Sequence, residues 1–241
     1  MNNSIARCVV VVAALACAGA QAKDALVLLA PNNNAMPIAR FDNGVLTGGF
    51  MKDVGEAIAM RLGRAVRFVT VPSRRAPLAL SEGGADGLCY VQPAWIDGDF
   101  NWTRPFIPSG GTVVARSDAP RLHSLSQLRD VPVGTVAGYR YAQLEALLGA
   151  HFVRKDAPSM QHNLEKLLVG RTQYAAIELA TAEHALRDEG KGRLRIDLEY
   201  EKFMAQCAFS KHSAVPFADI KHAVDGLIDD GSIARIMARY R

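Results

Sequence analysis

Ala25-Leu26-Val27-Leu28-Leu29-Ala30 opens the stretch of this chain that decides its fold. Six apolar residues in a row, ended by Pro31, predict a buried strand. The stretch continues with a predicted helix over 53–62, a strand over 66–71, a short helix over 77–82 and a strand over 87–91. Strands that alternate with helices in this way predict a largely parallel sheet with helices on its faces. The fold class is therefore α/β.

The same alternation starts again beyond residue 110. We expect strands over 113–116, 132–136, 152–154, 174–179 and 205–210, and helices over 124–128, 139–148, 161–169, 180–188, 216–229 and 232–239. Two successive α/β units with a late return predict two lobes. Lobe 1 would comprise residues 23–110 with 205–241, and lobe 2 residues 111–204. Gly110-Gly111 could absorb the backbone rotation of a hinge between them.

Residues 1–22 have the organisation of a secretory signal peptide. Arg7 supplies the positive start, Val9 to Ala16 the apolar run, and Ala20-Gln21-Ala22 the small-residue cleavage pattern. The apolar run is too short for a typical membrane span. We expect export to the periplasm; an uncleaved anchor and a lipid attached at Cys17 are the alternatives.

Composition narrows the classes of function. The net charge is +4 for the whole chain and falls by one when Arg7 leaves with the signal peptide. A charge this small, without a tract dense in Lys and Arg, argues against a nucleic-acid partner. The six histidines show no metal-binding spacing, and the chain has neither a phosphate loop nor a G-x-S-x-G motif. We expect a soluble monomer without cofactor or metal.

Two cysteines remain after the signal peptide, Cys89 and Cys207. In an oxidising compartment the pair suggests a disulfide that closes a long loop. Two buried free thiols are the alternative.

Ligand-binding candidates lie at the carboxyl ends of the predicted strands, where open α/β sheets bind their ligands. The candidates at these ends are Asn34 after the first strand, Tyr90, Gln92 and Trp95 after the third, and Gly138 and Tyr139 at the start of the second lobe. Tyr90 and Trp95 could stack on a ligand or belong to the core. Gly138 is at a predicted strand-to-helix turn, where free N–H groups favour an anion; a tight turn that needs glycine explains it equally well.

Six segments, in order, resemble those of a known family. Residues 100–106, Phe-Asn-Trp-Thr-Arg-Pro-Phe, are similar to its F-[ST]-x-P-[FY] motif, and residues 167–178 to its L-x-x-G-R-x-D-x-x-x-x-[DE] run. The other four segments are residues 44–63, 80–86, 133–138 and 226–240. The family is the bacterial extracellular solute-binding proteins of the polar amino acid uptake type. The resemblance implies a two-lobed, type II periplasmic binding protein-like fold, in which each lobe is a mostly parallel sheet flanked by helices.

One departure from the family pattern bears on the ligand. Amino-acid binders of this type place an arginine about six residues before the aromatic residue of the F-[ST] motif, to bind the ligand's carboxylate. Here that position is Ile96. The acid that would hold an α-ammonium corresponds to Glu178, for which a surface position at a strand end is the alternative. Arg74 and Arg75, in the loop after the second strand, are candidates to replace the missing arginine, or else belong to a solvated basic loop.

The resemblance implies the binding component of an ABC importer, with a permease in the inner membrane as its partner. Its ligand would be a small polar solute, amino acid-like or an organic anion, held between two closing lobes. We expect no enzyme activity. The alternatives are a periplasmic enzyme of the same fold, similar to cyclohexadienyl dehydratase, with Glu178 as its acid, and a ligand-sensing module.

Overall fold

The computed structural model describes residues 24–241. The predicted signal peptide and Cys17 lie outside the described residues. Within the described part of the chain, no helix is long and apolar enough to cross a membrane.

The described residues form strands and helices that alternate as expected. The strands are β1 (Leu26–Pro31), β2 (Arg40–Asp42), β3 (Val45–Gly48), β4 (Val66–Val71), β5 (Gly87–Val91), β6 (Asn101–Trp102), β7 (Ile107–Arg116), β8 (Val133–Val136), β9 (Arg154–Ala157), β10 (Tyr174–Glu178) and β11 (Leu194–Phe209). The α-helices are α1 (Phe50–Arg61), α2 (Ala76–Ser81), α3 (Ala142–Leu148), α4 (Met160–Leu168), α5 (Leu179–Arg187), α6 (Phe217–Asp229) and α7 (Ser232–Ala238).

Nine of the strands in residues 24–241 are hydrogen-bonded in the order β4-β1-β5-β11-β7-β10-β8-β9, with β6 against β11. β1 is parallel to β4 and β5, and β8 is parallel to β9 and β10. Between these two parallel groups lie β7 and β11, which are antiparallel to each other and to their other neighbours. The architecture is thus two parallel α/β units joined through a pair of long antiparallel strands.

β11 belongs to both units. Residues Leu194 to Ala205 pair with β7, and residues Gln206 to Phe209 pair with β5. Because one continuous strand serves both parts of the sheet, a rotation between the units must be taken up in β7 and β11 themselves. At Gly110 the two strands approach so closely that a Cβ atom would lie 2.5 Å from the carbonyl oxygen of Glu201.

Helices cover both faces of each unit. In the first, α1, α6 and α7 pack on one face around Phe50, Ile58 and Val224, and α2 packs on the other face around Leu80. In the second, α4 and α5 cover one face and α3 the other. This arrangement confirms the predicted α/β fold class.

Cys89 and Cys207 face each other across the β5–β11 pair and form a disulfide, both almost fully buried in the first unit's core. The bond joins positions 118 residues apart in sequence. It lies immediately beside Tyr90, at the carboxyl end of β5.

The observed elements differ from the predicted ones in both units. β11 begins at Leu194 rather than at residue 205, because the run from Leu194 to Glu201 alternates apolar and polar residues and pairs along β7. The strand expected over 152–154 is shifted to Arg154–Ala157, and β2 and β3 form a hairpin that was not predicted.

α3 begins at Ala142, not at residue 139. Residues 137–141 instead form a loop, in which the Tyr141 hydroxyl accepts a hydrogen bond from the Val136 N–H. Gly138 has φ 84° and is therefore required by the turn itself. The expectation that Gly138 lies at a helix N-terminus suited to an anion is wrong, because the helix starts four residues later.

Candidate functional site

A cavity of about 430 Å³ lies where the two units meet, at the carboxyl ends of β1, β5 and β10. Both units contribute to its wall, together with the joining strands β7 and β11. The volume is within the range of roughly 300–1,000 Å³ that is usual for small-molecule sites.

Most of the residues predicted from the sequence lie in this wall. Those that line the cavity are Asn34, Arg74, Tyr90, Trp95, Gly138, Tyr139 and Glu178. Arg75 is exposed and lies outside the wall. Gln92 also lies outside it, but its side chain is close to Glu201, which lines the cavity, and partly offsets the rise in the pKa of that acid.

Tyr90 occupies an unusual backbone position. Its φ of 63° falls in the left-handed region, opposite a register shift in β11 between Gln206 and Cys207. Such strain is uncommon outside glycine and concentrates at functional sites. The residue is 7% exposed, and its hydroxyl has no hydrogen-bond partner among the described residues. A buried polar group left without a partner is costly, so a ligand that supplies one would bind favourably here.

The loop after β1 brings a second unpartnered group to the cavity. Asn33 is 4% exposed; its amide nitrogen donates to the Ser73 hydroxyl, and its Oδ1 has no partner in residues 24–241. The same loop touches the second unit, since the Tyr139 hydroxyl donates to Asn34 Oδ1 at 3.0 Å and the Met160 N–H donates to the Asn33 carbonyl at 2.9 Å. The two units are therefore in direct contact across the cavity.

Glu178 ends β10 and precedes α5. Its carboxylate accepts hydrogen bonds from Ser109 Oγ at 2.6 Å and Thr181 Oγ1 at 3.4 Å. Desolvation raises the pKa of Glu178 well above its ordinary value of 4.5. A buried carboxyl of this kind favours its neutral form until a positive partner arrives.

Two wall residues on β11, Tyr200 and Glu201, were not predicted. Tyr200 packs where Gly111 has no side chain: a Cβ there would lie 2.7 Å from the Tyr200 hydroxyl oxygen. Desolvation raises the pKa of Tyr200, and the charges of Glu201 and Glu178 raise it further. Burial also raises the pKa of Glu201. The signal that could have found them is the alternation from Leu194 to Glu201, which is typical of a strand.

Arg74 is a cationic residue of the cavity wall, but it is exposed to solvent. Its Cγ packs on the turn of the second unit, where a Cβ on Gly138 would lie 2.6 Å away. No hydrogen bond or ion pair involves Arg74 within the described residues. Arg140, the other cationic wall residue, is paired with Asp97 and also donates to the Ala94 carbonyl.

Aromatic rings form much of the remaining wall. Trp95 meets Phe203 edge to face at 4.8 Å and Tyr90 at 6.2 Å between ring centroids. On the side of the second unit, the rings of Tyr139 and Tyr141 lie 6.4 Å apart. The cavity thus combines apolar ring surface with a few polar groups. Residues 24–241 hold no cluster of three metal-ligating side chains.

Neither a protein-family model nor a curated protein sequence matches the chain. Solved structures do match it. An ancestral arginine-binding protein bound to arginine has a TM-score of 0.77 at 20% identity, over 90% of this chain and 97% of its own. A putative ABC-transporter binding component from Wolinella succinogenes, complexed with lysine, has a TM-score of 0.76 at 16% identity, over 90% and 94%.

A third structure is the ancestral amino acid-binding protein AncCDT-1, described as a precursor of cyclohexadienyl dehydratase. Its TM-score is 0.75 at 16% identity, and the match covers 90% of this chain and 95% of that one. Structural similarity at this level of sequence identity establishes the fold of the chain and nothing beyond it. The chain has the two-lobed, periplasmic binding protein-like fold of these proteins.

Proposed function

We propose that the protein is the periplasmic substrate-binding component of an ABC importer, which captures a small polar solute between its two lobes. The observation that carries the proposal is the cavity between the lobes, with buried polar groups that lack a protein partner, the Tyr90 hydroxyl and Asn33 Oδ1. The fold shared with amino-acid-binding proteins of ABC transporters supports it.

We assign residues 23–110 and 205–241 to lobe 1 and residues 111–204 to lobe 2. The change of β11 partner from β7 to β5 at Ala205–Gln206 supports this division. The lobes would move by bending of β7 and β11, and the contacts between Tyr139 and Asn34 and between Arg140 and Asp97 would break on opening. A solute that touches both lobes would favour the closed form through its differential affinity for the two states. The closed form would then dock on the permease.

Tryptophan fluorescence tests the location of the site, because the chain has two tryptophans and only one lines the cavity. The protein is unfolded and refolded to remove any bound solute. It is then titrated with amino acids, amines and organic acids, and with an extract of its own periplasm. We expect at least one of these to change the emission and raise the Tm. The change should be lost in Trp95→Phe and retained in Trp102→Phe.

The proposal would be overturned if no compound and no periplasmic extract changed the emission or the Tm. It would also fail if a bound compound gave its signal through Trp102 alone. Uptake of the identified solute should fall in cells that lack the protein, which separates an importer component from a ligand-sensing module.

A second candidate function, a periplasmic lyase related in fold to cyclohexadienyl dehydratase, is favoured by Glu178. Burial raises its pKa and so favours the protonated form, which could donate a proton to a leaving hydroxyl group. Incubation with prephenate or arogenate, followed by product absorbance, tests this directly. Product formation that is lost in Glu178→Gln would establish the enzyme; no product would exclude it.

A further inference from the structure

We propose that the solute is an organic cation without an α-carboxylate, bound with its positive nitrogen against the face of the cavity formed by Glu178, Tyr200 and Glu201. The inference rests on the solute-binding function proposed above and narrows it: among polar solutes, it favours amines over amino acids and organic anions.

The charges of the wall point to a cation. Glu178 and Glu201 both line the cavity, and within residues 24–241 neither is paired with an arginine or lysine: Glu178 accepts hydrogen bonds from two hydroxyl groups, and Glu201 lies near the side chain of Gln92. Carboxylates withdrawn from water are costly unless a positive group compensates them. An entering ammonium supplies that charge and favours the ionised form of both acids, whereas an entering carboxylate would disfavour that form.

The hydrogen-bonding groups left open also favour a donor-rich ligand. Asn33 uses its amide nitrogen on Ser73, which leaves the acceptor Oδ1 without a partner. An ammonium group has several N–H donors and no acceptor. The Tyr90 hydroxyl, which is also unpartnered, can accept from the same ligand.

The aromatic surface suits a cation as well. Trp95 meets Phe203 and Tyr90 edge to face in the cavity wall, and the second unit contributes the ring of Tyr139. The faces of aromatic rings attract cations by about 0.5–2 kcal/mol, and cages of such rings bind organic ammonium groups.

The part of the cavity wall that the structure describes offers no buried, free guanidinium for an α-carboxylate. Ile96 lines the cavity at the position where the family resemblance implies an arginine. Arg140 is already paired with Asp97. Arg74 is exposed, with its stem packed on the Gly138 turn. No guanidinium in the described wall is therefore both buried and free to form a paired bond with a carboxylate.

Matched pairs of ligands that differ only in the α-carboxylate test the proposal on the wild-type protein. Refolded protein is titrated by calorimetry with tyramine and tyrosine, agmatine and arginine, and cadaverine and lysine. We expect at least one amine to bind tenfold or more tightly than its amino acid. If no amine of the panel binds, or if every amino acid binds at least as tightly as its amine, the proposal is wrong.

Charge-removing variants locate the cation. The substitutions Glu178→Gln and Glu201→Gln should each lower the affinity for the tightest-binding amine at least tenfold. Glu199→Gln, which removes an exposed carboxylate on the same strand and outside the cavity, should leave its affinity unchanged. Unchanged amine affinity in both cavity variants would overturn the proposed location.

The results also separate this inference from the proposed function. If amino acids or organic acids change the emission of Trp95 and no amine binds more tightly than they do, the proposal of a cationic solute is refuted and the solute-binding function stays intact. If neither the panel nor the periplasmic extract binds, both are refuted.

Discussion

The substitution Tyr90→Phe should make the unligated protein more stable and should also lower its affinity for the ligand. These two effects rarely go together. The Tyr90 hydroxyl is buried without a hydrogen-bond partner in the described structure. An unsatisfied buried polar group costs about 1–3 kcal/mol. Phenylalanine removes the hydroxyl and keeps the ring that packs on Phe50 at 5.0 Å. The free energy of unfolding should therefore rise by about 1–3 kcal/mol, which corresponds to about 2–4 °C in Tm per kcal/mol for a chain of this length.

The same substitution removes a hydrogen bond that we expect the bound solute to make. A net loss of about 0.5–1.5 kcal/mol would weaken binding roughly 2- to 12-fold. Thermal unfolding of refolded protein measures the first effect. Calorimetric titration with the tightest compound of the solute panel measures the second.

Tyr174→Phe is the matched control. The Tyr174 hydroxyl donates to the Pro120 carbonyl at 2.7 Å, and the residue lies outside the cavity wall. Its removal should lower the Tm and leave the affinity unchanged. If Tyr90→Phe behaves like Tyr174→Phe, with lower stability and unaltered affinity, the hydroxyl of Tyr90 has a structural role and the argument for its contact with the ligand is refuted.

Three further predictions concern the disulfide, pH and the joining strands. Replacing Cys89 and Cys207 together by alanine should lower the free energy of unfolding by about 3–5 kcal/mol, because their bond closes a long loop; an unchanged urea midpoint would contradict this. Because the pKa of Glu178 is raised on folding, its contribution to stability is present at low pH and is lost as the pH rises from about 4.5 through that raised pKa. Urea titrations across this pH range should show that the free energy of unfolding declines in the wild type and depends less on pH in Glu178→Gln. An equal pH dependence of stability in the two proteins would contradict this prediction. Gly111→Ala should lower the free energy of unfolding by about 1–3 kcal/mol, because the new Cβ collides with Tyr200. The loss should be much smaller when Tyr200 is also replaced by alanine. Equal losses in both backgrounds would show that the ring is not the cause.

The strands β1, β4 and β5 of the first lobe were predictable because each has a local signal, whereas the β2–β3 hairpin of the same lobe was not predicted. The strands at 66–71 and 87–91 begin and end where the sequence indicated, because apolar runs and turn residues bound them. The start of β11 was missed, although its alternation from Leu194 is visible in the sequence. The start of α3 was also missed, because the loop before it is held by the Tyr141 hydroxyl bond to Val136, a contact that no local pattern indicates.

Local patterns in the sequence were sufficient for the α/β class, the alternation of strands and helices, and the strand ends that carry Asn34, Tyr90 and Glu178. Such patterns report burial and periodicity along one segment, and they carry no information on which distant segments meet. The meeting of Glu201 with Gln92 and of Tyr200 with Gly111 depends on the pairing of β11 with both lobes, and the contact of Tyr139 with Asn34 joins two loops from different lobes. The chemistry of the cavity was therefore set by long-range strand pairing, which brings acids, rings and unpartnered polar groups from separate segments onto one wall.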